Sequence, residues 1–259
     1  MQLECRGVLV DLDGTVYDRE TVIPGAADAV SALRGAGFPI RFLTNTSRTS
    51  RAELVRRLAG HGIEVVRDEV YTASYGAALW LAGRKIRRAA VLVPATALED
   101  FVGVSVDSES PEAVLVGDLG AEWTFQRLND AFRWLMSGAE LVAIHKNPYW
   151  RTEEGLTLDA GAFVAALEYA SGSKATTIGK PSKEFFATAA GAMGLTTEDV
   201  VMVGDDLTTD VIGAKAVNAR SILVRTGKFS DPDLAAAGTK PDLILDSIAE
   251  LPGVLSKQP

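Results

Sequence analysis

Two carboxylates leave one short apolar segment two positions apart, in Val8-Leu9-Val10-Asp11-Leu12-Asp13-Gly14-Thr15. Alternate residues of a strand share a face, so Asp11 and Asp13 start out pointing the same way. Like charges that close are unfavourable without a cation between them. The pair therefore predicts a divalent-metal site beside a reactive carboxylate, although Asp-Gly alone is a strong turn signal. A second acidic group, Gly204-Asp205-Asp206-Leu207-Thr208-Thr209-Asp210, follows another apolar run. Three carboxylates within about one and a half helical turns are seldom gathered for stability. Two polar stretches accompany them, Thr44-Asn45-Thr46-Ser47 and Lys180-Pro181-Ser182. Taken singly, each reads as a helix entry.

These groups need elements to carry them. Strands are expected at Gly7–Val10, Ile40–Leu43, Val200–Val203, Ser221–Val224 and Leu243–Leu245, with helices at Ala26–Arg34 and Ser50–Leu58. Short apolar strands alternating with helices imply a parallel sheet covered on both faces. Ligands bind beyond the carboxyl ends of such strands, where the acidic pair, Thr44-Asn45 and Gly204-Asp205-Asp206 all fall. The middle of the chain lacks this chemistry but repeats the alternation. Ala90–Val93, Ala113–Val116 and Leu141–Ile144 read as strands, Trp123–Met136 and Ala160–Tyr169 as helices. This predicts a core of residues 1–78 and 177–259 interrupted by an inserted α/β domain of residues 79–176.

Composition narrows the partners. The 259 residues are 47% hydrophobic and 23% charged, which suits a globular enzyme with a full core. A net charge of -8 argues against nucleic acid or an anionic membrane. The single cysteine, Cys5, excludes an internal disulfide and fits a reducing compartment. It has no familiar catalytic setting and reads as a small buried apolar residue. With no apolar run long enough for export or membrane spanning, the expected location is cytoplasmic.

Four stretches, in order, resemble the motifs of the haloacid dehalogenase superfamily: Asp11-Leu12-Asp13-Gly14-Thr15, Thr44-Asn45, Lys180-Pro181-Ser182 and Gly204-Asp205-Asp206-Leu207-Thr208-Thr209-Asp210. The insertion between the second and third is similar to the C2-type α/β cap of the NagD-like group. Segments Ala143-Ile144-His145-Lys146, Tyr149-Trp150 and Arg225-Thr226-Gly227-Lys228-Phe229 resemble members of that group whose first motif has serine where this chain has Asp13. Their substrates therefore do not carry over, and Asp13 keeps the fuller phosphatase pattern. The resemblance implies a Rossmann-like parallel-sheet core and a magnesium-dependent phosphohydrolase acting on small phosphorylated metabolites.

It also implies roles. Asp11 is the nucleophile that forms an aspartyl-phosphate, and Asp13 is the general acid and then base. Mg2+ is held by the Asp11 and Asp205 carboxylates and the Asp13 carbonyl; the residues themselves indicate only an oxygen-rich, magnesium-type site. Lys180, Thr44 and Asn45 bind the phosphoryl group. Asp210, one helical turn beyond Asp206, is placed to steady Lys180 or a metal-bound water. Asp206 either faces the metal through water or caps the following helix. In the insertion, His145, Lys146 and Tyr149 select the leaving group or, equally well, belong to a surface turn at Asn147-Pro148; His145 alone reads as structural. Trp123, Phe125, Leu128, Phe132, Leu135 and Met136 form an apolar helix face for a core or an interface. Caps of this type also support homodimers. The alternatives are a phosphotransferase or other reaction on the same fold, and a non-catalytic phosphate-binding regulatory protein.

Overall fold

The computed structural model describes residues 2–106, 109–152 and 155–257. It divides into two units: Met1–Thr44 with Leu54–Tyr71 and Lys180–Pro259, and Asn45–Glu53 with Thr72–Gly179. The fold class is α/β with a parallel-sheet core.

In the first unit, fully buried Gly7–Asp11 lies between Val200–Gly204 and Ile40–Thr44. The sheet continues to Arg220–Val224 and Leu243–Leu245 on one side and to Val70–Thr72 on the other. The recorded pairings within it are parallel. Val8 and Val10 pack with Val201, Val203, Phe42 and Ile222 on one face, the period of two that a strand imposes. Strand order reverses at Gly7–Asp11, so its carboxyl end is a topological switch point where neighbouring loops diverge. Register aligns Asp11 with Leu43 and Val10 with Val203, so Thr44 and Asp205 emerge on either side of Asp11.

The second unit has its own sheet, ordered Thr176–Thr177, Glu140–Ala143, Ala113–Val116, Arg88–Leu92, Ser105–Val106. Alternation again divides its faces. Val114, Val116, Leu141 and Ala143 pack with Ala131, Leu135, Val164 and Leu167 of the helices Phe125–Met136 and Ala160–Ser171. Ala113, Leu115, Val142 and Ile144 pack with Ala77 and Leu81 of Ala73–Arg84. Thr124 starts the first of these helices by accepting the Arg127 N–H at 3.1 Å. Trp123 stacks on Phe163 at 4.4 Å between ring centres, whereas Phe125 and Met136 are exposed.

Three local features depart from the sequence reading. Tyr149–Thr152 and Gly155–Leu158 form an antiparallel hairpin where the sequence reading assigns no strands. Leu207–Ile212 winds as a wide π-type turn, a geometry enriched at functional sites. Val70–Thr72 adds an edge strand too short to register in the apolar pattern. Among the described residues, no helix is long and apolar enough to cross a membrane. Cys5 is buried and unpaired, and burial pushes its thiol up to about 11.

Candidate active site

The site grows from strand ends. Asp11 closes a strand with no exposed residue, and its backbone continues into the tight turn at Gly14, where φ is +86°. Across from it, Gly227 has φ +58°. A Cβ on Gly14 would lie 2.1 Å from Asp205 Oδ2, and one on Gly227 2.0 Å from the same oxygen. Two bare backbones therefore clasp the Asp205 carboxylate, and the Thr226 hydroxyl fastens them by donating to the Gly14 carbonyl. The Lys228 N–H donates to Asp205 Oδ2 at 2.6 Å.

Lys180, 3% exposed, lies between two carboxylates. Its ammonium donates to Asp11 Oδ1, to Asp210 Oδ1 at 2.7 Å and to the Leu43 carbonyl at 3.3 Å. Burial alone would favour neutral lysine, but Asp11 and Asp210 raise its pKa and keep it charged. Asp210 Oδ2 accepts the Asp206 N–H at 3.1 Å. Asp206 caps the π-type turn, its Oδ1 taking the N–H groups of Thr208 and Thr209 at 2.9 and 3.0 Å. Lys228 Nζ donates to the other Asp206 oxygen at 3.3 Å.

Carboxylate oxygens of Asp11, Asp205 and Asp210 all lie within 4.8 Å of one another, and all three residues are buried. Burial and crowding act together here. Asp205 is raised well above the usual range by burial, then by Asp11 and Asp210. Asp210 is raised to about 7, chiefly by burial, with Lys180 opposing and Asp11 reinforcing. Asp11 is also raised by burial, with Lys180 opposing. Asp206 goes the other way: burial resists, but Lys228 and the two N–H groups hold it low. A cluster that disfavours its own charge in this way, with only oxygen donors, suits a hard divalent cation.

Asp13 differs from these in being exposed. Protein packed around its base still raises its pKa, against the opposing charges of Arg57, Lys180 and Lys228. Accessible surface governs what can reach this carboxyl, and crowding governs its proton affinity. The Thr44 hydroxyl donates to Asp13 Oδ2 at 3.4 Å, and the Thr15 hydroxyl to Asp11 Oδ2 at 3.4 Å.

The family comparisons agree with this geometry. Residues 8–106 match the family "haloacid dehalogenase-like hydrolase", and residues 177–251 match a second family described as HAD-hydrolase-like. Haloacid dehalogenase-like hydrolase domain-containing protein 2 of Homo sapiens is 43% identical over 242 residues, covering 93% of this chain and 92% of that protein. The chain belongs to the haloacid dehalogenase-like hydrolases. Within this family, phospholysine phosphohistidine inorganic pyrophosphate phosphatase of Homo sapiens is 38% identical over 251 residues, covering 95% and 92%. The p-nitrophenyl phosphatase from Archaeoglobus fulgidus superposes with a TM-score of 0.92 at 28% identity, covering 97% of this chain and 99% of that one. NagD from E. coli K-12 gives 0.88 at 27% identity, covering 96% and 98%. The protein is thus a NagD-like haloacid dehalogenase-type phosphatase with a cap domain.

In this hydrolase, Asp11, Asp13, Thr44, Lys180, Asp205, Asp206 and Asp210 all lie in the first unit. The other residues read from the sequence lie in the second. Asn45 donates to Asn147 Oδ1 at 3.4 Å. His145, 2% exposed, shares a 3.0 Å hydrogen bond with the Ser47 hydroxyl, which also accepts the Asp118 N–H at 2.7 Å. Lys146 pairs with Glu168 at 2.8 Å, and Tyr149 is exposed at the start of the hairpin. The sequence assigns no role to Lys228, Thr226 or Thr15. For Lys228 the available signal was the excess of carboxylates over cations in the motifs.

Proposed function

We propose that this phosphatase hydrolyses small phosphorylated metabolites with Mg2+, through an aspartyl-phosphate on Asp11. The observation that carries the reading is Lys180 buried between Asp11 and Asp210, with Asp205 alongside. Asp11 and Asp205, with the Asp13 carbonyl, would hold the cation, while Asp210, bonded to Lys180 and the Asp206 N–H, would steady the lysine. When bound, magnesium neutralises phosphoryl charge and lets an anionic nucleophile approach an anionic substrate.

The chain's own residues supply the rest. Lys180 holds the Asp11 carboxylate in one orientation and offers a fixed positive charge to a phosphoryl oxygen. Thr44 contributes a hydroxyl donor to that group. Asp13, accessible and with a raised pKa, holds a proton for the leaving oxygen and then takes one from the attacking water. The proposed location is the cytoplasm, a reducing compartment that suits a chain whose single cysteine is Cys5.

The test is phosphate release from an aryl phosphate with magnesium, with chelator, and in Asp11→Asn. Magnesium-dependent release that Asp11→Asn abolishes supports the reading; chelator-resistant release or an active Asp11→Asn overturns it. A panel of sugar phosphates, nucleotides, phospho-amino acids and pyrophosphate then assigns the substrate. The last two are included because a 38% identical relative is named for them.

A further inference from the structure

Five aspartates meet at one end of the first unit: Asp11, Asp13, Asp205, Asp206 and Asp210. Lys180 is buried and engaged by two of them. With Asp13 holding its proton, a divalent ion plus Lys180 supplies three positive charges against four carboxylates, and a phosphate monoester brings about two more negative charges. The imbalance calls for another cation on the accessible side. Lys228 provides one. Its side chain is 52% exposed, its ammonium is 3.3 Å from Asp206 Oδ2, and its own N–H holds Asp205 Oδ2.

We propose that Lys228 is a positioning residue that attracts the substrate phosphoryl group, its ammonium held over the acidic cluster by Asp206 while its main chain fixes Asp205. The idea rests on the phosphohydrolase reading but makes a separate demand on binding. A positive charge beside the cluster favours the anion and opposes the metal. Removing it must therefore move the two affinities in opposite directions. A residue that merely braced Asp205 would weaken both together when replaced.

The experiment is calorimetric titration of the full-length protein with inorganic phosphate in saturating magnesium and, separately, with magnesium alone. Lys228→Met should raise the phosphate Kd about tenfold, the size of one charge-assisted hydrogen bond, and lower the magnesium Kd. Lys228→Arg should restore both values towards wild type. The phosphate effect should shrink at high ionic strength. Because the side chain is exposed, an unchanged melting temperature is expected and confirms folding.

An unchanged phosphate Kd, a joint weakening of metal and phosphate, or a wild-type protein that binds no phosphate overturns the proposal. If wild type turns over aryl phosphate normally while Lys228→Met binds phosphate unchanged, only this inference fails. Absence of magnesium-dependent turnover in wild type is instead the failure of the phosphohydrolase reading.

Discussion

Each unit buries charged side chains, but the two treat them differently. In the second unit, Arg51 and Asp100 form a buried ion pair. The Arg51 Nε lies 3.4 Å from Asp100 Oδ1, its N–H is 3.0 Å from Oδ2, and the Thr72 hydroxyl adds a contact at 3.4 Å. The guanidinium sits 3.4 Å above the Tyr75 ring. In the first unit, Asp11, Asp205 and Asp210 share one region with a single buried ammonium, and burial and mutual repulsion raise their pKa values. A balanced buried pair holds structure together. An unbalanced cluster stores an affinity for a cation and an anion that the protein does not itself supply, which is the signature of a site.

The contrast breaks most easily at Lys180. Lys180→Met should lower kcat by about 10³-fold, since it removes a preorganised charge from both nucleophile and phosphate. A loss below about tenfold would make the lysine structural. At Arg51 the expected damage is to stability. Arg51→Met removes the guanidinium that balances the buried Asp100 charge and should cost about 3–5 kcal/mol in chemical denaturation. Arg51→Met with Asp100→Leu should recover most of that, and a single-variant loss under about 1 kcal/mol would contradict the pairing.

A pH measurement sharpens the same contrast. Asp210 titrates near 7 in the folded protein against about 3.9 unfolded. Between those values the folded chain holds a proton that the unfolded chain has lost, so stability falls as pH rises through the window and returns on acidification. For one proton the slope is at most about 1.4 kcal/mol per pH unit. Chelator-treated wild type should therefore gain stability relative to Asp210→Asn as pH drops from about 7 towards about 5. Parallel pH profiles for the two proteins would contradict it. The smallest effect belongs to Lys146→Ala, which breaks a partly exposed pair with Glu168 and should change stability by less than about 0.5 kcal/mol.

Much of the catalytic half was legible because it is built from strand ends. Period-two apolar runs locate Gly7–Asp11 and Val200–Gly204, and the carboxyl end of a parallel strand is where chemistry collects. That argument reaches Asp11, Asp13, Thr44 and Asp205 without a structure. It leaves the orientation of Asp206 open, because capping and metal-facing rotamers share one sequence, and hydrogen bonds to Thr208 and Thr209 show the capping one. Lys228 lies outside its reach, since it follows the strand Arg220–Val224 and Asp206 the strand Val200–Gly204, 22 positions apart. Ser47–His145 and Arg51–Asp100 join residues 98 and 49 positions apart, and no local spacing announces such partners. The strands Tyr149–Thr152 and Gly155–Leu158 escape the sequence reading because Tyr149, Leu156 and Leu158 are exposed, so no buried apolar face marks them.

The central claim is that the unbalanced cluster performs phosphoryl transfer through Asp11. The most direct measurement is acid quenching of the enzyme during magnesium-supported turnover, followed by mass-spectrometric location of any phosphoryl group on the chain. The account predicts one phosphoryl group, on Asp11, absent from Asp11→Asn. Phosphorylation at another residue, or turnover in Asp11→Asn with no covalent adduct, would contradict it.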